Sequence, residues 1–138
     1  MSSTLKVNTL TGVSTAGSIS VTAEGNSTTT NLQQGLAKAW QIAATDASVT
    51  DSLNTSANND NGVGDHQFNI VSNMSSANYA INGTAAQTTD AQPVMSCNPS
   101  SDINTSSLFR LQVGLTTTGP AYQHLDKVTY MSIHGDLA

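Results

Sequence analysis

The stretch Ser107-Leu108-Phe109-Arg110-Leu111-Gln112-Val113 decides the fold. Phe109, Leu111 and Val113 fall at every second position. A period of two places them on one face of a strand, whereas a helix would scatter them around its circumference. The same alternation returns in His66-Gln67-Phe68-Asn69-Ile70-Val71, where Phe68 and Ile70 share a face. It returns again in Val128-Thr129-Tyr130-Met131-Ser132-Ile133-His134 near the end of the chain. Ser48-Val49-Thr50-Asp51-Ser52-Leu53 and Tyr79-Ala80-Ile81-Asn82-Gly83-Thr84 are shorter candidates of the same kind.

Turn chemistry separates these runs. Asn58, Asn59, Asp60, Asn61, Gly62, Gly64 and Asp65 cluster before the Phe68 strand. Asn, Asp and Gly tolerate positive φ and cap their own backbones, so this cluster predicts a hairpin turn. Residues 86–105 read as a long polar loop carrying Pro93 and Pro99, with room for a short strand at Val94 and Met95. One stretch has helix-forming residues, Asn31-Leu32-Gln33-Gln34-Gly35-Leu36-Ala37-Lys38-Ala39-Trp40-Gln41-Ile42. Leu36, Lys38, Trp40 and Ile42 nevertheless alternate with Ala37, Ala39 and Gln41, which predicts a linker or turn up to Gly35 and a strand from Leu36. Strands about ten residues apart, with no helix long enough for a parallel crossover, predict an all-β fold. The expected form is an antiparallel β-sandwich over residues 32–138.

Residues 1–31 read differently. Leu5, Val7, Ile19 and Val21 are the main apolar anchors in a segment of Thr, Ser, Gly and Asn. Their spacing fits two short strands around a turn at residues 12–17. A lone hairpin is marginal in water, so this segment is expected to be an arm that orders by docking on something else.

Composition excludes several functions. Lys and Arg number 4 against 9 Asp and Glu, for a net charge of −5. Nucleic-acid binding needs the opposite field. No run approaches the ~20 apolar residues of a membrane span. Met1-Ser2-Ser3-Thr4-Leu5-Lys6 lacks the apolar core of a signal peptide. Ser, Thr, Asn and Gln total 58 of 138 residues, while only 9% are charged, far from the dressed surface of a helical bundle. Few aromatics are available to fill a core, which favours self-association as a way of burying more surface.

Catalytic signals are sparse. Cys97 is the sole cysteine and has no base beside it in sequence. His66, His124 and His134 lack the close spacing of a metal-ligand pair, so each reads as a surface or pleat-face histidine. The Asp60–Asp65 segment offers oxygen ligands without the Glu that an EF-hand loop needs. No nucleophile elbow or phosphate-cradling loop is present. No enzyme, cofactor or metal is expected. For binding, Tyr122 and His124 sit in Thr118-Gly119-Pro120-Ala121-Tyr122-Gln123-His124, read as a loop at the tip of a rigid scaffold. Trp40 reads as a core or intersubunit residue, or as a sugar-stacking platform.

Ordered blocks carry a family resemblance. Residues 31–40 resemble a stretch in small tail-fibre-like virion proteins of marine bacteriophages. Asp51-Ser52-Leu53-Asn54, followed by Asp60-Asn61-Gly62-Val63-Gly64-Asp65 and an alternating strand, is similar to the pattern D-S-[FL]-N-[VT]-S … D-N-G-x-G-D-[YH]-x-[FV]-N of those proteins and of phage fibre head domains. Met74-Ser75-Ser76-Ala77-Asn78-Tyr79, Gly83-Thr84 and the ending Gly135-Asp136-Leu137-Ala138 look like theirs, as does the opening Ser3-Thr4-Leu5-Lys6-Val7-Asn8-Thr9. Residues 85–106 and 116–127 fall outside the resemblance. It implies a homotrimeric fibre or appendage of the virion with a jelly-roll-like head. Leu5, Val7, Ile19 and Val21 would attach to other virion proteins, and the β domain would meet a host surface glycan. Capsid decoration, a head fibre or a tail-fibre adaptor are the alternatives. A lectin or glycan-degrading enzyme is the rival from another class.

Overall fold

A computed structural model describes residues 4–13, 19–22, 29–86, 93–97, 104–116 and 122–137. The chain divides into two compact units, Met1–Leu36 and Ala37–Ala138. In the first unit, strand β1 (Ser20–Thr22) pairs antiparallel with β2 (Thr29–Asn31), Ser20 facing Asn31. One helical turn, α1 (Leu32–Gly35), follows. The Leu32 N–H donates to the Ile19 carbonyl at 2.8 Å. The expected linker before Gly35 is thus wound into a turn of helix.

The hairpin expected between Leu5–Val7 and Ile19–Val21 does not form. Leu5 and Val7 lie in irregular chain, and β1 takes its partner from the run Thr29-Thr30, continued by Asn31, instead. That run is β-branched, which suits a strand. It also lies nearer β1 in sequence, so a shorter loop closes. Most of the expected turn, residues 14–17, lies outside the described residues.

The second unit begins with β3 (Ala37–Ala43), β4 (Val49–Leu53), β5 (Asn59–Asp60) and β6 (Asp65–Asn69). It continues with β7 (Ala80–Ala85), β8 (Pro93–Cys97), β9 (Leu108–Thr116), β10 (Tyr122–His124) and β11 (Thr129–His134). Every strand pairing is antiparallel. One sheet runs β4-β3-β11-β7. The other runs β10-β9-β6-β5, with β8 also on β9. The registers show how β9 serves three partners: β8 covers residues 111–115, β6 covers 108–112, and β10 covers 114–116. β6 and β10 therefore share one edge in succession, and β8 takes the other. Residues 122–124 form this strand rather than the expected loop.

The core lies between the sheets, as in a β-sandwich. Phe68 and Phe109 are directly paired across β6 and β9, and their rings stack at 5.0 Å and 9°. Ala39 and Ala43 from β3, Met131 and Ile133 from β11, Leu111, Ile70 and Met74 complete the buried cluster. Phe68, Ile70, Phe109, Leu111 and Val113 are buried as their alternation predicts. The inner face of β3 is the informative exception. It presents Ala39, Gln41 and Ala43, all fully buried, and turns Trp40 and Ile42 outward. Ala39 and Ala43 share one buried cluster with Phe68 and Phe109, small side chains beside large rings. Trp40 is therefore not a core residue.

Gly64 marks the handover on the β9 edge. The Val113 N–H donates to the Gly64 carbonyl at 2.7 Å, and the Leu125 N–H donates to the Val113 carbonyl at 3.0 Å. Gly64 has φ +63°, and a Cβ there would collide with the backbone of both Val113 and Leu125. Only glycine fits that corner without displacing a strand. Asn54, at φ +58°, braces the other end. Its side chain donates to the Lys38 carbonyl at 3.0 Å and accepts from the Ser72 N–H at 2.7 Å. Among the described residues no helix is long and apolar enough to cross a membrane.

Candidate functional site

A groove of about 540 Å³ opens between the β3–β4 connection and residues 55–60. Local side-chain bonding builds its lips. Asp46 accepts from the Ser48 N–H at 3.0 Å and from the Ser48 hydroxyl at 2.6 Å, the self-capping bend that Asp favours. Those bonds hold the Asp46 carboxyl below the usual carboxylate range. Ala47 then takes a positive φ of 62°. Asn58 donates to the Ala47 carbonyl at 2.8 Å and ties the two lips together. Asp60 accepts from the Gly62 N–H at 2.9 Å at the mouth of the β5–β6 turn.

The groove offers two carboxylates, Asp46 and Asp60, with the hydroxyls of Ser48, Thr55 and Ser56. Ala47, Val49 and Ala57 supply its apolar part. The Thr55 hydroxyl and Asn58 Oδ1 beneath the lining are buried and have no hydrogen-bond partner among the described residues. Such a lining suits a neutral polyhydroxylated ligand, whose hydroxyls donate and whose C–H faces rest on small apolar side chains. Among the described residues no group of three His, Cys, Asp or Glu could hold a metal ion.

The residues singled out in the sequence do not converge on one place. Trp40 is half-buried on the outer face of the four-stranded sheet. His124 is exposed on β10 of the other sheet, opposite Gly114. Tyr122 is paired with Thr116 on that strand, and its side chain lies outside the described residues, as does that of Cys97. In the first unit Leu5, Val7 and Val21 are exposed and Ile19 is half-buried. The Asp60–Asp65 segment is the expected turn: the Asn61 N–H donates to the Asp65 carbonyl, and the Asp65 N–H to the Gly62 carbonyl, both at 2.9 Å.

His66, read from sequence as a surface or pleat-face histidine, lies on the inward pleat of β6. It is 1% exposed, with its ring edge-on to Phe68 at 6.4 Å. Its alternation with Phe68 and Ile70 already implied the inward face. Neither ring nitrogen has a hydrogen-bond partner among the described residues. Nε2 stands 3.9 Å from Asp126 Oδ1, which accepts from the Gly64 N–H at 2.6 Å.

Elsewhere on the sheet, Arg110 forks onto Asp65 at 2.5 and 2.6 Å. This bond holds the Asp65 carboxyl below its ordinary value and raises the guanidinium. Both residues lie on the outer pleat of β6 and β9, diagonal to one another in the register. The groove was missed in sequence because its parts come from two separate connections. The one local signal was the Asp46-Ala47-Ser48 spacing of a self-capped turn. No family model matches the chain, and neither a curated protein nor a solved structure matches it.

Proposed function

We propose that this chain is a bacteriophage virion structural protein, a tail-fibre or appendage component. In this reading it assembles as a homotrimer, with the second unit as a jelly-roll-like head and the first unit as an attachment arm. The observation that carries it is the exposure of the first unit's apolar side chains. Leu5 is 79% and Val13 98% exposed, and Val7, Leu10 and Val21 are each more than half exposed. Water is a poor environment for such a series in so short a segment, and docking on a neighbouring protein would cover it. The ordered sequence blocks supply the virion context. Low charge and abundant Thr, Asn and Ser suit copies packed closely on one another, since no buried ions need pairing.

The head contributes binding alone. The polar groove beside Asp46 and Asp60, and the β10 edge with Tyr122 and His124, are the places where a host surface glycan would be met. Three or more copies would multiply weak contacts into avidity. Capsid decoration and a tail-fibre adaptor are the nearest alternatives within the same class.

The test uses the full chain. Its mass in solution is expected at three times 14.2 kDa. Replacing Leu5, Val7 and Val21 together by Ser should leave the β unit folded and abolish incorporation into particles. Normal incorporation of that variant would overturn the arm. A stable monomer would overturn the trimer. Glycan-array binding that falls on Asp46→Ala would support recognition through the groove.

A further inference from the structure

The outer face of the four-stranded sheet carries an apolar centre between opposite charges. The register sets the layout. Trp40 stands between Leu53 and Ser132, with Asn82 beyond. In the next outward row Ile42 stands between Asp51 and Tyr130, with Thr84 beyond. Leu53 is 48% and Tyr130 44% exposed, and Trp40 and Ile42 are half-buried. Lys38 lies before Trp40 and next to buried Ala39, at a β-bulge where Ala39 pairs with Ile133 and Ala37 with His134, which places it toward the outward side that Trp40 and His134 share. Lys38 and Asp51 therefore sit at opposite ends of the apolar centre, on adjacent strands.

We infer that this face is a self-complementary contact that takes a second copy of the same chain. Charge complementarity chooses the occupant. When a copy is turned end for end about an axis between Trp40 and Leu53, its Asp51 comes over Lys38 and its Lys38 over Asp51. A two-fold contact repeats every pairing in this way, which is what self-complementarity means. Trp40 then meets its own counterpart near the centre, where an aromatic anchor has most effect. The shallow depression lined by Asn82, Thr84, Tyr130 and Ser132 lies alongside. The face spans four strands at about 4.8 Å and about five residues at about 3.3 Å, roughly 300 Å². That is below the ~800 Å² per partner of a stable pair. The contact is therefore weak alone and gains effect where copies are held side by side.

This contact extends the self-association proposed above and adds a two-fold to it. Trp40 is the chain's only tryptophan, so its fluorescence reports directly on the face. Sedimentation and Trp40 emission are measured together on the full chain across a hundredfold range of concentration. Even-numbered species are expected at high concentration, with blue-shifted emission and reduced acrylamide quenching. Lys38→Asp should remove both signals, at least tenfold in association constant, because it sets like charges over each other twice. Lys38→Asp with Asp51→Lys should restore them, which also controls for folding. Three results would overturn the contact: association with unchanged Trp40 emission, a Lys38→Asp variant that associates like wild type, or a charge swap that fails to restore association. A trimer with unshielded Trp40 would sink the face and leave the trimer standing. An even-numbered species that never reaches a multiple of three would do the reverse.

Discussion

The two outer faces of the sandwich are built from the same pleat and end up with opposite characters. On the five-stranded sheet the outward residues of β6 and β9 include Asp65, Gln67, Asn69, Arg110 and Gln112, with Leu108 opposite Asn69. Arg110 grips Asp65 with two bonds, and Gln112 Nε2 approaches the same carboxylate at 3.4 Å. Gln67 Nε2 donates to Asn69 Oδ1 at 3.1 Å. That face satisfies itself and can meet water directly. On the four-stranded sheet the outward residues Trp40, Ile42, Leu53 and Tyr130 form an apolar centre, with Asp51, Ser132, Asn82 and Thr84 around it. The difference shows why alternation alone does not tell core from surface. β3 puts Ala39, Gln41 and Ala43 inside and Trp40 and Ile42 outside, so its largest apolar side chains are not part of the core.

Both faces depend on the same interior, so the largest expected effect comes from emptying it. Phe109→Ala removes one ring of the Phe68–Phe109 stack between the sheets. A loss of about 3–5 kcal/mol is expected, the usual range for a buried aromatic truncated to alanine. Urea unfolding followed by far-ultraviolet circular dichroism measures it. A loss under about 1 kcal/mol would mean that the sheets do not close on this pair.

The self-satisfied face should respond to pH, and the apolar face should not. Arg110→Met removes the partner that holds the Asp65 carboxyl below its ordinary value. A lowered folded-state pKa contributes stability that is full above the unfolded value, near pH 4, and fades as pH falls through the folded one. Arg110 itself stays charged throughout. The side chains are 29% and 14% exposed, so solvent screening limits the cost of the variant to about 1 kcal/mol at pH 7. The two proteins should converge in stability near pH 2. A difference that persists there would show that Arg110 acts by packing its stem rather than by its charge.

The sequence was legible where burial and alternation agreed. Phe68, Ile70, Phe109, Leu111 and Val113 could be assigned to the core because they fall at every second position of their strands. β8 could be anticipated from Val94 and Met95 alone. Three features were illegible for separate reasons. Trp40 faces outward while Ala39 and Ala43 share the core with side chains from β6 and β9, a long-range fact. β10 was read as a loop because its strand character comes from a vacant stretch of the β9 edge, not from its own composition. The groove was invisible because Asp46 and Asp60 are brought together by Asn58, which reaches back across eleven residues to the Ala47 carbonyl. His66 was read as a surface or pleat-face histidine, and its spacing to Phe68 and Ile70 could have chosen the inward pleat.

The smallest effect sharpens the contrast most. Leu53 lies on β4, the edge of the four-stranded sheet, 48% exposed beside Trp40. Leu53→Thr introduces a β-branched residue that suits a strand and removes apolar surface that already faces out. In the dilute, unassociated chain the change should cost no more than about 0.5 kcal/mol, as surface substitutions do. It should be the same at pH 7 and pH 3, because no charge is involved. If the outer apolar face served the fold itself, the loss would instead approach the ~2 kcal/mol of a buried leucine, and the two outer faces would not differ in kind. A small, pH-independent loss together with weakened association at high concentration separates the two roles: the Asp65–Arg110 face stabilises the subunit, and the Trp40–Leu53 face acts between subunits.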